Sequence, residues 1–205
     1  MAASLVETYR RLRHGRPIVV VSGLPRSGTS MMMKMLAAGG VEPATDSRRE
    51  PDESNPEGYF ELERVKTLEH GDRHPWLADC RGRALKVVSF LLPHLPDVFN
   101  YRVLLMDRAL HEVVASQDRM LERAGETPSA DLEALAARFR EHLAAVRRLL
   151  DRDACFEWLE VSYNRVVADP EHEAERVSRF LGGRLRADRM AAAVNPSLYR
   201  SRQRM

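Results

Sequence analysis

Cysteine is scarce in this sequence: the 205 residues hold two, Cys80 and Cys155, far apart and with no CxxC pairing. That excludes a disulfide framework and a cysteine-built zinc site, and it fits reduced thiols in a cytoplasmic chain. Long apolar runs are also missing. The opening MAASLVETYRRLRHGRP has no apolar core of signal-peptide length. No later stretch approaches what a membrane-spanning helix needs, so an unexported protein without a membrane span is expected. Charge of one sign is not in excess either. Lys and Arg number 32 against 30 acidic residues, so no whole-molecule field marks a nucleic-acid partner. HExxH is absent, and Pro75 disfavours helix at His74, so His70 and His74 do not form a helical metal pair and no metal is expected. His94 reads as a loop residue. Nothing repeats at a fixed period.

What is present is enough for a single well-buried core, with 44% hydrophobic and 30% charged residues. One domain over 1–205 is expected, with an N-terminal helix in 1–16 and a basic tail in 183–205. Ser4 followed by Glu7, with Leu5, Tyr9 and Leu12 at helical spacing and Gly15 beyond, predicts the short capped helix. Pro17 to Ser22 is a β-branched run without alternation, the pattern of a strand buried on both faces. Thr29 to Ala38 predicts a helix stopped by Gly39-Gly40. Glu42 to Pro56, with three prolines, reads as a long loop.

Further strands are expected over Arg83 to Phe90, Tyr101 to Met106 and Cys155 to Val161, with helical patterns between them. Leu132, Leu135, Phe139, Leu143, Val146 and Leu150 form a stripe at spacings of three and four that should cover one face of the sheet. This alternation implies an α/β fold, a doubly wound parallel sheet flanked by helices that binds ligands outside its carboxyl edge, and the glycine-bearing loop of residues 23–30 makes it a P-loop NTPase-like three-layer domain. The tail carries Arg184, Arg186, Arg189, Arg200, Arg202 and Arg204 against Asp188. That is enough to attract a phosphate-rich ligand, or else a solvated face.

The sharpest local feature is Gly23-Leu24-Pro25-Arg26-Ser27-Gly28-Thr29-Ser30. Glycines five apart at a strand-to-helix junction let backbone N–H groups turn inward, and the helix start favours an anion. A tight turn that needs glycine only for its backbone is the alternative. The spacing is that of a Walker A loop, yet Thr29-Ser30 stands where an ATP-binding loop carries lysine and then serine or threonine. Arg26 is the replacement cation, with a planar fork suited to phosphate or sulfonate oxygens.

Here the sequence resembles the sulfotransferases that use 3′-phosphoadenosine 5′-phosphosulfate, whose phosphosulfate loop reads P-[KR]-S-G-T-[TS]. Pro25, Arg26, Ser27, Gly28, Thr29 and Ser30 match it throughout. The family also carries an arginine at a strand end and a serine eight residues on, which hold the donor's 3′-phosphate. Arg108 and Ser116 in MDRALHEVVASQ have that spacing. Asn55-Pro56-Glu57-Gly58-Tyr59-Phe60-Glu61 is similar to a segment of bacterial members, as are Val161-Ser162-Tyr163, Ala168-Asp169-Pro170 and Phe180-Leu181-Gly182. The likeness runs from about Pro17 to Gly182.

The resemblance implies a sulfonate donor and adenosine 3′,5′-bisphosphate as product, with no metal. It places Tyr163 near the adenine, although a core-packed aromatic would read the same, and it allows Arg200 or Arg202 at the 3′-phosphate. Lys86, at the end of an expected strand, falls where the family often has a lysine on the transferring group; a solvated lysine is the alternative. Cytosolic relatives carry a histidine two residues beyond that lysine, and here Val88 stands there; many bacterial relatives read Lys-Asp-Pro-Arg where this chain has Lys86-Val87-Val88-Ser89. Glu61 is the candidate base, or else a helix cap or a partner of Arg64.

The implied function is sulfonate transfer to a hydroxyl or amine of a small-molecule or glycan-like acceptor, with Arg26, Lys86 and Glu61 as catalytic candidates. A non-catalytic phosphoadenosine-nucleotide-binding protein and a P-loop small-molecule kinase are the rivals, the latter needing a lysine and magnesium ligands that are not found.

Overall fold

A computed structural model of the chain describes residues 5–46, 60–71, 73–123, 125 and 131–195. Four strands form one parallel sheet: β1 (Ile18–Gly23), β2 (Ala84–Val88), β3 (Tyr101–Asp107) and β4 (Phe156–Ser162), in the spatial order β2-β1-β3-β4. Every residue of β1 is buried, which is why its sequence does not alternate: both faces are covered and neither tolerates a polar repeat.

The two faces carry different layers. Val19 and Val21 of β1 pack under α2 (Thr29–Gly39), which presents Met32, Met33, Met35 and Leu36. Ile18 and Val20 face the opposite layer, made of residues 62–99 and the C-terminal half of α4 (Leu132–Arg152). Between β3 and α4 lies α3 (Leu110–Arg123). After β4 come α5 (Tyr163–Ala168), α6 (Pro170–Phe180) and α7 (Ala187–Ala192), which return to the α2 face. The chain leaves β1 towards β2 and then returns to the other side of β1 as β3. The crevice at this reversal, outside the carboxyl ends of β1 and β3, is where such sheets bind ligands.

Several expectations shift in detail. The second strand ends at Val88, not Phe90, because residues Ser89–His94 turn into a 3-10 helix with Pro93 inside it. His94 therefore closes a 3-10 helix and is not a loop residue. Lys86 is the middle residue of β2 and not its end. The α4 stripe divides: Val146 and Leu150 cover the sheet, while Phe139 and Leu143 pack on Val113 and Val114 of α3 and on Leu24. Leu132 lies outside that contact, 46% exposed. The N-terminal helix, α1, is Leu5–His14, but Leu12 is 84% exposed and contributes nothing to a buried stripe. This helix is held by polar contacts instead: Arg10 donates to the carbonyls of Asp97 and Phe99 and to Asn100 Oδ1. Ser4, its expected cap, lies outside the described residues, as do 47–56 of the long loop and 57–59 after it.

Candidate active site

The loop after β1 is shaped by its glycines. Gly23 has φ 152°, and a Cβ there would collide with Ser27 Oγ and come within 2.8 Å of the Met106 carbonyl on β3. Gly28 caps α2 at φ 100° with no side-chain cap, and a Cβ on it would run into the Tyr163 ring. Arg26 also takes a left-handed conformation, φ 70°, at a cost of about 1 kcal/mol for a residue with a side chain. That conformation is held from outside. Arg108 Nη1 donates to the Arg26 carbonyl at 3.1 Å, and the Ser27 N–H donates to Leu24 O at 3.1 Å.

The start of α2 has no side-chain cap, and the unmet N–H groups of a helix start favour an anion. Ser27 is 1% exposed and its Oγ is buried with no hydrogen-bond partner. A buried hydroxyl without a partner costs free energy unless a ligand meets it. Glycine-lined loop, open helix start and unmet hydroxyl together fit a phosphate or sulfonate group.

Two cationic groups flank the loop. On the β3 side, Arg108 follows the strand directly and is 9% exposed. Its Nε donates to Glu112 Oε2 at 2.8 Å, and its guanidinium lies 4.3 Å from the Tyr163 ring centre. Ser116 accepts a hydrogen bond from Arg26 Nε at 3.1 Å. The loop and the Arg108–Ser116 pair, separate in sequence, are thus one constellation. On the β2 side, Lys86 Nζ reaches Ser30 Oγ at 3.3 Å and Glu61 Oε1 at 3.4 Å. Lys86 is drawn inward by these contacts, its side chain only 11% exposed beside a Glu61 that is 34% exposed.

Tyr163 is the first residue of α5 and is buried. Loss of solvent pushes its phenol pKa up, with Arg108 opposing that shift. Gly28 adjoins one part of its ring and Arg108 lies over it, so Tyr163 backs both the loop and the arginine. Pro25 lies in the loop, and Thr29 is the first residue of α2. Arg200 and Arg202 lie outside the described residues. No group of three or more His, Cys, Asp or Glu side chains that could hold a metal ion occurs among the described residues. No described helix is long and apolar enough to cross a membrane.

Residues 59–186 match the model of a sulfotransferase family. The chain belongs to that family. The matched stretch exceeds half of the chain and holds Glu61, Lys86, Arg108, Ser116 and Tyr163, while the loop of residues 23–30 precedes it. As a family member the chain is a transferase, a sulfotransferase-type enzyme. Among solved structures, it is similar to the sulfotransferase domain of the Synechococcus PCC 7002 olefin synthase, at 18% identity and a TM-score of 0.49, covering 82% of this chain and 73% of that one. It is also similar to the sulfotransferase domain of the curacin biosynthetic pathway, at 15% identity and a TM-score of 0.49, covering 93% of each chain. No curated protein matches the chain significantly in sequence.

Two residues of the constellation escape the sequence reading. Glu112 had a usable signal, an acidic residue four after Arg108 on a helix. Asn164, whose Nδ2 donates to Glu112 Oε1 at 3.2 Å, had none, because 52 residues separate the two.

Proposed function

We propose that the chain transfers a sulfonate from 3′-phosphoadenosine 5′-phosphosulfate to a hydroxyl or amine of a small-molecule or glycan-like acceptor. The observation that carries this reading is the contact between the two phosphate-binding elements: Arg108 bonded to the Arg26 carbonyl, and Arg26 bonded to Ser116. A nucleotide with phosphates at both its 5′ and 3′ positions needs two anion sites held at a fixed separation. A loop built for a single phosphate chain does not need the second.

On this reading the donor supplies a sulfur that bonds the acceptor oxygen or nitrogen as its bond to the 5′-phosphate oxygen breaks, that electron pair leaving with the bisphosphate. The N–H groups of Gly28 to Ser30 and the Ser27 hydroxyl hold the 5′ end. Arg26 supplies positive charge beside it, and Lys86 stabilises charge on the transferring group. Glu61, next to Lys86 and more open to solvent, takes the acceptor's proton where relatives use a histidine that Val88 replaces here. Arg108 and Ser116 take the 3′-phosphate, with Tyr163 beside the adenine and Arg200 or Arg202 available from the tail. Free, buried Cys80 and Cys155 suit a reducing, cytoplasmic setting.

Calorimetry tests the donor: adenosine 3′,5′-bisphosphate should bind more tightly than ATP, and the reverse order would favour a small-molecule kinase. Transfer of labelled sulfonate over an acceptor panel, lost in Glu61→Gln, separates an enzyme from a nucleotide-binding protein without a base.

A further inference from the structure

The ion pair between Arg108 and Glu112 is the most enclosed in the neighbourhood of the loop, with the two side chains 7% and 9% exposed. Placing a carboxylate there is costly in two ways. It is removed from water, and its charge lowers the positive potential of a site meant for an anion. A neutral residue would avoid both costs, so the pair is informative about what Arg108 requires.

The carboxylate is fixed at both oxygens. Oε2 accepts from Arg108 Nε and Oε1 accepts from Asn164 Nδ2, so α3 and the start of α5 hold it together. Arg108 in turn is restrained by its Nε on Glu112, its Nη1 on the Arg26 carbonyl, and the Tyr163 ring against its guanidinium. These fix the plane and direction of a rigid, planar group whose use in phosphate recognition depends on the aim of its fork. Glu112 and Ser116 are four apart on α3, so they share one helical stripe with the arginine at its head.

From this geometry we infer that Glu112, seated by Asn164, is a positioning residue that aims Arg108 at the donor's 3′-phosphate and so sets the preference for nucleotides that carry one. The inference rests on the donor proposed above. Glu112 makes no contact with ligand on this account; it acts through Arg108.

The test is calorimetry on the full chain with adenosine 3′,5′-bisphosphate and adenosine 5′-monophosphate. Glu112→Ala should weaken bisphosphate binding by about tenfold, the worth of a charge-assisted hydrogen bond, and leave monophosphate binding within about twofold. Glu112→Gln keeps a carbonyl oxygen for Nε–H and should lose less. In an Arg108→Ala background, Glu112→Ala should no longer move the ratio of the two affinities, a result that a merely structural role does not give. Should the alanine variant fail to fold, Glu112→Gln and Asn164→Ala carry the same ratio test, each with a smaller loss. The inference is overturned if both nucleotides weaken in parallel, if the ratio is unmoved, or if bisphosphate binding tightens. Failure of the underlying reading looks different: the unmodified protein would then show no preference for the bisphosphate.

Discussion

Gly28→Ala probes the junction of the phosphate loop, α2 and α5 in one step. The backbone at this position has φ 100° and ψ 16°, a region open to glycine and strained for alanine by roughly 1–2 kcal/mol. The new methyl would also strike the Tyr163 ring. That ring is poorly able to retreat, being 7% exposed and overlain by Arg108 at 4.3 Å. Overpacking of this kind costs about 1–3 kcal/mol. The sum, about 2–5 kcal/mol, is a large share of the 5–15 kcal/mol typical of folded domains, and at this chain length it lowers Tm by roughly 5–15 °C. Thermal unfolding followed by circular dichroism reads the shift directly. The steric part is isolated by a double-mutant cycle with Tyr163→Leu: removing the ring should make Gly28→Ala less costly by about 1 kcal/mol or more. Equal cost with and without the ring, or a Tm for Gly28→Ala within about 1 °C of the parent, would refute the packing account of this glycine.

Three other outcomes follow from the same geometry. Lys86→Met should lower turnover by about a hundredfold, as loss of one group stabilising transition-state charge commonly does, while bisphosphate affinity measured by calorimetry stays within about threefold. Equal loss of both would assign Lys86 to nucleotide binding alone. Burial lowers the pKa of His142, whose Nε2 lies 2.9 Å from Ser89 Oγ under a stacked Phe90. The folded state therefore favours the neutral ring. The unfolded chain takes up the proton first as pH falls below about 6.5, so the His142 contribution is complete above that pH and declines below it. Tm measured from about pH 8 to about pH 5 should fall less steeply in His142→Gln, and identical slopes would contradict the assignment. Burial likewise raises both thiols, Cys155 to about 11. A disulfide reagent at neutral pH should then leave the native chain almost unlabelled and titrate two thiols only after denaturation; rapid native labelling would show that one is accessible.

The parts legible in the sequence are those whose signal is local. The phosphate loop is written as a β-branched run, two glycines and a helix start within fourteen residues, Pro17 to Ser30. Arg108 and Ser116 are recognisable because the end of one strand and the helix that follows it fix their spacing. The expected strand runs two residues past β2 because Phe90 extends its apolar run, whereas Ser89–His94 form a 3-10 helix. Periodicity over so few residues does not separate a buried strand from a buried 3-10 turn. Leu12 lies in α1 at the expected helical spacing yet is exposed: helical spacing gives a stripe, but a neighbouring layer must exist to bury it. The Lys86–Glu61 pair spans 25 residues and forms only because the chain after the long loop returns beside β2, a tertiary fact without a local signal. The sequence offered Glu61 two other partners, a helix end and Arg64, and nothing in spacing alone favours the observed lysine over them.

Strand order gives these scattered residues their arrangement. Gly23 at the end of β1 is level with Val88 of β2 and Met106 of β3, so the loop begins in the middle of three strand ends. Neighbouring strands are about 4.8 Å apart, which sets a scale of roughly 10 Å across the three. Lys86 and Glu61 approach from the β2 side, and Arg108, Ser116 and Glu112 from the β3 side. On the proposed reading the donor lies across the carboxyl edge, its 3′-phosphate over β3, its 5′-phosphate on the loop and its sulfonate towards β2. The acceptor then enters beside β2, where residues 60–62 meet the crevice, away from the enclosed Arg108–Glu112 pair. The division also explains the different exposures of the two carboxylates. On that reading Glu61, one-third exposed, exchanges a proton with an incoming molecule, whereas Glu112, sealed in, only keeps an arginine still.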